Sequence, residues 1–506
     1  MKIFFKRYYL MAAVGMACIN TGCEKLKDFG DINTNPNGTT TILTSMLITN
    51  VESQLGDGLT SFAPGGTTVQ PGFYCQYFAE PTYPNASLYS LPRINSSAIY
   101  SGVLMDCQVI INRNTDPATA EAASQSGSNA SQTALARVLK AYIYWTVTDR
   151  WGDVPYAEAL KGEKFLTPKY DLQEDIYKDL LKELTEAVAQ FDDKGKVVDG
   201  DIIYKGNTIS WKKFANSLRM LIALRMSKRY PGAGEYAAQE FKKALNDANG
   251  FISTNADNFQ VKYPGGNFRN PYSSIGTSED LAVALTFTDL MVGLSDPRLG
   301  ALASNSNGVP YGLKTAAPTG LAKIFSSDFK KEDGTLVIVS AASSMLAKAE
   351  GCQLGWATGS VDETAAKEAY DAGIGLSFEQ WGYPIPDGYL TLGAANFNDG
   401  VGVSTIGGVT VAGSNARART RLERIALQQY IAAYPDALQG WSIWRKTGMP
   451  DLKPTINALN DGGRIIRRYV YGTTEYNLNK AKLLEAIARF PGGKDSQDER
   501  VWWDKP

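Results

Sequence analysis

Histidine is absent from all 506 residues. That excludes a Ser-His-Asp triad and a Cys-His pair. It also excludes His-ligated zinc and haem, and it leaves no unperturbed side chain titrating between about pH 5 and 8. Paired-carboxylate chemistry, as in glycoside hydrolysis, survives. Cysteine is scarce. Beyond Cys18 and Cys23 near the start, only Cys75, Cys107 and Cys352 occur. Their wide spacing is no disulfide framework, and they read as buried small hydrophobes. A basic excess is missing too, with 51 Lys+Arg against 52 Asp+Glu and no basic run, which argues against nucleic acid.

The chain also lacks a long apolar run at its start. The stretch Tyr8–Ile19 is 12 residues, and a spanning helix needs about 20. It follows Lys2, Lys6 and Arg7 and precedes Asn20-Thr21-Gly22-Cys23. Cations, an apolar core and a small residue before the break are the parts of a secretory signal. A small residue then Cys is the pattern of a bacterial lipoprotein, so Cys23 is the expected acylated residue after removal of residues 1–22. Cys18, preceded by Gly15-Met16-Ala17, is a second candidate, and an ordinary signal peptide is the plainer alternative. On each reading the chain leaves the cytoplasm.

What is present is globular: 44% hydrophobic, 20% charged and 11% aromatic. Length alone allows up to three domains at about 150 residues each. Most of the chain reads as helices. Leu172, Ile176, Leu180, Leu184, Val188 and Phe191 form one apolar stripe. The pattern predicts helices over 133–148, 171–191, 208–229, 278–292, 338–356, 361–372, 417–433 and 436–446, with short ones at 40–55, 69–79 and 97–113. Asp171 with Glu174, Thr277 with Asp280 and Ser360 with Glu363 fit N-terminal caps. Such paired helices suggest tetratricopeptide-like stacking, without a clean 34-residue repeat. Segments 252–275, 293–337 and 382–416 are rich in Gly, Asn, Ser and Pro. They carry aromatics, which disordered segments lack, so they are expected to be ordered insertions that build a surface. Val401 to Val411 around Gly407-Gly408 predicts a hairpin.

Several stretches together are similar to the SusD/RagB family of outer-membrane lipoproteins, in its second SusD-like branch. They are Asp31-Ile32-Asn33-Thr34-Asn35-Pro36-Asn37, then Trp151-Gly152-Asp153-Val154-Pro155-Tyr156-Ala157-Glu158-Ala159-Leu160, then Trp211 through Arg219. Met345 through Gly351, Gln428 through Pro450 (with Trp441, Trp444 and Arg445), Arg467-Arg468 and Val501-Trp502-Trp503-Asp504 follow. Tyr471-Gly472 departs from the Tyr-Pro common in the family. The resemblance covers nearly the whole mature chain. It implies a mainly α fold of about eight helices in tetratricopeptide-like pairs, supporting a long-loop ligand face with minor β-hairpins. It implies a tether at 23–38 and a single domain at 39–506. It implies a non-enzymatic lid that captures oligosaccharides or oligopeptides at the cell surface. The lid delivers them to a SusC-like TonB-dependent transporter barrel. No cofactor, metal ligand or catalytic residue is implied.

Trp441 and Trp444, at helical spacing, are expected in the core, and Arg445 with Glu350 is an expected buried pair. Asp149 and Asp153 flank Trp151 as an acid/base pair or, more simply, as caps and turn formers. Ligand candidates are loop aromatics with polar neighbours, because flat rings pack on sugar C–H faces while amides and charges bond hydroxyls. These are Tyr83, Asn85, Tyr89, Arg93 and Asn95, then Phe268, Arg269, Asn270 and Tyr272, then Tyr311. The alternative for each is packing on its own scaffold. A surface glycoside hydrolase and a helical-repeat scaffold that binds only proteins are the competing functions.

Overall fold

Amphipathic helices laid side by side make the body. The computed structural model describes residues 42–56, 70–90, 93–274, 281–313, 319–398, 405–406, 409–410 and 419–506. Thr44–Pro506 is one compact unit. Cys18, Cys23 and the 23–38 tether lie outside the described residues, as do Thr277 and Asp280.

The N-terminal helices are α1 (Thr44–Leu55), α2 (Gln70–Tyr74) and α3 (Met105–Thr115). Then come α4 (Asn129–Trp151) and α5 (Gln173–Gln190), followed by α6 (Thr208–Arg225) and α7 (Tyr236–Leu245). Beyond α8 (Leu285–Gly293) lie α9 (Ala341–Gln353), α10 (Glu363–Gln380), α11 (Arg421–Ala433) and α12 (Ala437–Thr447), and the chain ends with α13 (Thr473–Leu478) and α14 (Lys480–Ile487). Helices α4 with α5, α6 with α7, α9 with α10 and α11 with α12 pack as neighbouring pairs. This is the expected mainly α, tetratricopeptide-like architecture. The predicted stripe of α5 faces inward: Ile176, Leu180, Leu184 and Val188 are buried, while Leu172 at its start is exposed.

The strands are short and antiparallel. They pair β1 (Phe78–Ala79) with β5 (Ala282–Val283), β2 (Val154–Pro155) with β3 (Tyr170–Asp171), and β4 (Phe259–Lys262) with β6 (Thr335–Val339). The predicted hairpin is present as β7 (Thr405–Ile406) and β8 (Val409–Thr410), and its Gly407-Gly408 turn lies outside the described residues.

Several boundaries differ from the pattern, each for a local reason. The helix predicted from residue 278 begins at Leu285, because Ala282–Val283 pairs with β1 instead. The helix predicted to stop at 372 runs on to Gln380, burying Ile374 and Phe378. Its cap is Asp362, whose carboxylate accepts from the Ala365 amide, rather than Ser360. Residues 236–245, given no helix by the pattern, form α7. Asp171 does not cap α5. Its carboxylate accepts from the amides of Tyr156 and Ala157, and Asp153 takes its place at the Gln173 amide, 2.9 Å away.

One apolar core joins most of the pairs, and a second buried cluster, with Leu346, Tyr370, Ile374 and Ile425, lies among α9, α10 and α11. Phe214 of α6 stacks on Phe259 of β4 with centroids 3.7 Å apart, and Phe287 of α8 stacks on Tyr434 at 4.6 Å. Trp441 and Trp444 are buried as expected. Cys75, Cys107 and Cys352 are free thiols in buried positions, and burial raises the pKa of each. Among the described residues no helix is long and apolar enough to cross a membrane.

Candidate functional site

The β4–β6 pair forms the floor of a cavity of about 640 Å3, within the range of small-molecule sites. Strand alternation explains its character, since successive side chains point to opposite faces. Phe259 and Val261 of β4, with Leu336 and Ile338 of β6, are buried, and Phe259 and Val261 belong to the core. Gln260, Lys262, Thr335 and Val337 alternate with them, are less buried, and line the cavity, which Leu336 also borders. Two loops and a helix end supply the walls. Trp381 follows the last residue of α10, with its ring 5.4 Å from that of Phe329 and 5.7 Å from that of Phe325. Tyr272 meets the Phe325 ring edge-on at 5.0 Å.

The polar groups of this cavity divide into occupied and unoccupied ones. The Asn258 side chain accepts from the Ala341 amide at 2.7 Å, and that of Asn270 accepts from the Tyr272 amide at 3.0 Å. Asn255 donates to the Leu376 carbonyl and to Glu379. Gln380 Oε1 is buried with no protein partner. The charged lining residues are Lys262 and Lys331 against Asp328, Asp333 and Glu379.

A second cavity, of about 610 Å3, is lined by Tyr89, Arg93, Leu459, Asp461, Asp495 and Asp498 among others. The two candidate segments therefore line different cavities. Tyr83 and Asn85 are exposed, Tyr83 by 69%. Tyr89 is buried, with its ring 6.4 Å from that of Tyr311, its hydroxyl accepting from the Thr455 amide and its pKa pushed by burial to about 12. Arg93 donates to Asp495 at 2.8 Å and to the Tyr471 carbonyl, and lies 4.8 Å over the Tyr476 ring. Asn95 is exposed and accepts from the Thr474 amide.

In the other segment Phe268 packs against Tyr263 at 4.8 Å, and exposed Arg269 pairs with Glu332 at 3.4 Å. Asn270 and Tyr272 are buried at the cavity wall. Half-buried Tyr311 donates its hydroxyl to the Phe73 carbonyl. Sequence reasoning missed Gln260, Phe329, Gln380 and Trp381. Trp381 carried a signal, as an aromatic just past the C-terminus of a helix at the edge of the 382–416 loop.

The two carboxylates beside Trp151 do structural work. Asp149 is fully buried; it accepts from the Tyr177 hydroxyl and from Trp503 Nε1 at 2.9 Å, and lies 3.6 Å from Arg225. Asp153 caps α5 and accepts from Arg489 at 2.6 Å; burial raises its pKa against the pull of that guanidinium. The expected Arg445–Glu350 pair is replaced by a neighbour. Glu350 binds Lys446, while Arg445 lies 3.6 Å from the Trp441 ring centroid and donates to the carbonyls of Asp149 and Arg467. Helical geometry decides this, because adjacent residues point about 100° apart and only one can face α9. Among the described residues no group of His, Cys, Asp or Glu is arranged to hold a metal ion.

Residues 36–472 match the second SusD-like family model, described as starch-binding and associating with the outer membrane. No curated protein matches the chain. Among solved structures, a chitin-binding SusD homolog from Flavobacterium johnsoniae is 24% identical with a TM-score of 0.73, covering 91% of this chain and 98% of that one. A SusD homolog from Bacteroides uniformis is 23% identical with a TM-score of 0.73, covering 92% and 99%. One from Parabacteroides distasonis is 22% identical with a TM-score of 0.74, covering 92% and 98%. At these identities the structures speak for the fold.

Proposed function

The chain belongs to the SusD-like family, and from that premise we propose that it captures an oligosaccharide or oligopeptide at the cell surface and passes it, as a lid, to a SusC-like TonB-dependent barrel. It is a binding protein of the outer-membrane surface and not an enzyme. The observation that carries this reading is the family match over residues 36–472. The carboxylates beside Trp151 agree with it, being used up in packing and capping. Lipid attachment through Cys23 suits a lid, because an acyl tether leaves the body free to swing. The chitin-binding relative from Flavobacterium johnsoniae makes chitin oligosaccharides a rational first ligand.

Two measurements test the proposal. Affinity-tagged protein drawn from outer membranes is expected to bring down a barrel transporter, and calorimetry against glycan and peptide panels is expected to find a ligand. Pull-downs that never contain a barrel, with no ligand in either panel, would overturn it. Barrel binding without any small ligand would favour the protein-only scaffold. Release of products from glycans by the purified chain would favour the hydrolase.

A further inference from the structure

The geometry points to a binding site on the paired helices, a small cationic cavity among α3, α4 and α5 that takes a carboxylate side chain from an acidic segment of a partner protein. The cavity has a volume of about 190 Å3 and shares no lining residue with the one floored by β4–β6. That volume is below the ~300 Å3 at which small-molecule sites begin. It suits one side-chain end rather than an oligosaccharide.

Helical spacing builds the wall. Arg137, Lys140, Ala141 and Tyr144 recur at intervals of three, one and three along α4, so they share one face. Asp179 and Glu183, four residues apart, line the cavity from α5. Gln108 of α3 and residues of the stretch Tyr156 to Lys161 complete it.

The anions of this wall are already engaged. Glu183 accepts from Arg137 twice, at 2.9 and 3.1 Å. Asp179 accepts from the Tyr156 hydroxyl at 2.7 Å. Two of the cations are not so matched. Half-buried Lys140 donates to Gln108 Oε1 at 2.7 Å, a neutral amide, and among the described residues no carboxylate forms an ion pair with it. An ammonium has three donors, so two remain for a ligand. Exposed Lys161 lines the same cavity. Burial lowers the Lys140 pKa; Glu183 opposes the shift and Lys161 adds to it. A carboxylate between the two ammoniums relieves their repulsion and gains charge-assisted hydrogen bonds.

Charge and size select the ligand. Arg137, Lys140 and Lys161 stand against Asp179 and Glu183, an excess of one positive charge. One carboxylate cancels it. A phosphate group, at about −1.5 to −2, overshoots it beside two carboxylates. Exposed Ala157 and half-buried Ala159 add apolar lining for the methylenes of a Glu or Asp side chain.

The test is calorimetry at low salt, where screening is weak, on the purified mature chain. The probes are N-acetylated hexaglutamate amide, its hexaglutamine counterpart, glutarate and inorganic phosphate. The wild type is expected to bind hexaglutamate and not hexaglutamine, and to bind glutarate and phosphate more weakly than hexaglutamate. Lys140→Gln and Lys161→Ala are each expected to weaken hexaglutamate binding about tenfold, as loss of a hydrogen bond to a charged group does. Lys161 is exposed, so its removal leaves the core untouched. Lys194→Ala, at an exposed lysine outside the cavity, is the control and is expected to bind as the wild type does.

Full binding by both cavity variants, or no binding of hexaglutamate by the wild type, would overturn the site. Equal weakening in Lys194→Ala would do the same, by showing attraction to surface lysines in general. Phosphate bound as tightly as hexaglutamate would overturn the carboxylate class, and glutarate bound as tightly would overturn the polypeptide occupant. The capture function stands or falls separately, on the pull-downs and ligand panels above.

Discussion

Glu350 Oε1 accepts from Lys446 Nζ at 2.5 Å, with both side chains less than a tenth exposed. Gln429 donates to the other carboxylate oxygen at 2.8 Å, so α9, α11 and α12 meet at one carboxylate. Burial lowers the Lys446 pKa and Glu350 opposes the shift. Removing one partner strands a buried charge, which costs about 3–5 kcal/mol. Glu350→Ala is therefore expected to lower unfolding free energy in urea by that much, and Glu350→Ala with Lys446→Met to recover much of it. Equal losses in the single and double variants would show that the charge pair is not the source.

Trp503 is followed by three residues in the sequence yet is fully buried. Its ring lies 4.6 Å from the Arg445 guanidinium, and its indole nitrogen donates to Asp149. Trp503→Ala removes a large core side chain and a donor to a buried carboxylate. A loss of about 3–5 kcal/mol is expected, while Trp502→Ala, at a partly exposed ring, is expected to cost less. The comparison needs only chemical denaturation followed by circular dichroism at 222 nm.

How far such contacts can be read in advance depends on their reach along the chain. The stripe from Ile176 to Val188 is local and periodic, so α5 was legible. Its cap was not, because Asp153 arrives from twenty residues upstream while Asp171, next to the helix, turns to Tyr156 and Ala157. The loop aromatics show the same division. Tyr83 is exposed as its turn suggests, but Tyr89 six residues on is buried against Tyr311. The cavity is assembled from residues near 260, 330 and 380, and no local pattern announces that they meet. Family resemblance supplied the architecture that periodicity could not.

Glu52 of α1 is fully buried, and its pKa is raised well above the usual carboxyl range, first by burial and then by Asp201. One oxygen accepts from the Ile202 amide at 2.7 Å; the other has no protein partner. A raised folded pKa means the folded state holds a proton that the unfolded state releases. Stability from this group is complete below the unfolded pKa near 4.5 and is lost as pH rises through the folded value. Asp436, raised to about 7 by burial, acts in the same sense. Glu52→Gln is expected to flatten the decline in urea midpoint between pH 5 and 8 and to raise the midpoint at pH 8. An unchanged profile would mean that Glu52 does not hold the proton.

Attachment to the membrane can be separated from attachment to a barrel. A single acyl chain binds a bilayer only marginally, and stable anchoring takes more than one, as lipoproteins carry at their N-terminal Cys. If Cys23 is that residue, Cys23→Ala is expected to abolish labelling by radioactive palmitate in cells, whereas Cys18→Ala leaves it intact. The reverse pattern would move the anchor to Cys18. Fractionation then reports on the barrel. If the lipid is the main tether, unacylated Cys23→Ala protein is expected to leave the outer-membrane fraction. Retention of the unlabelled variant in that fraction would show that barrel contact alone suffices and that the lipid serves only to bring the two together.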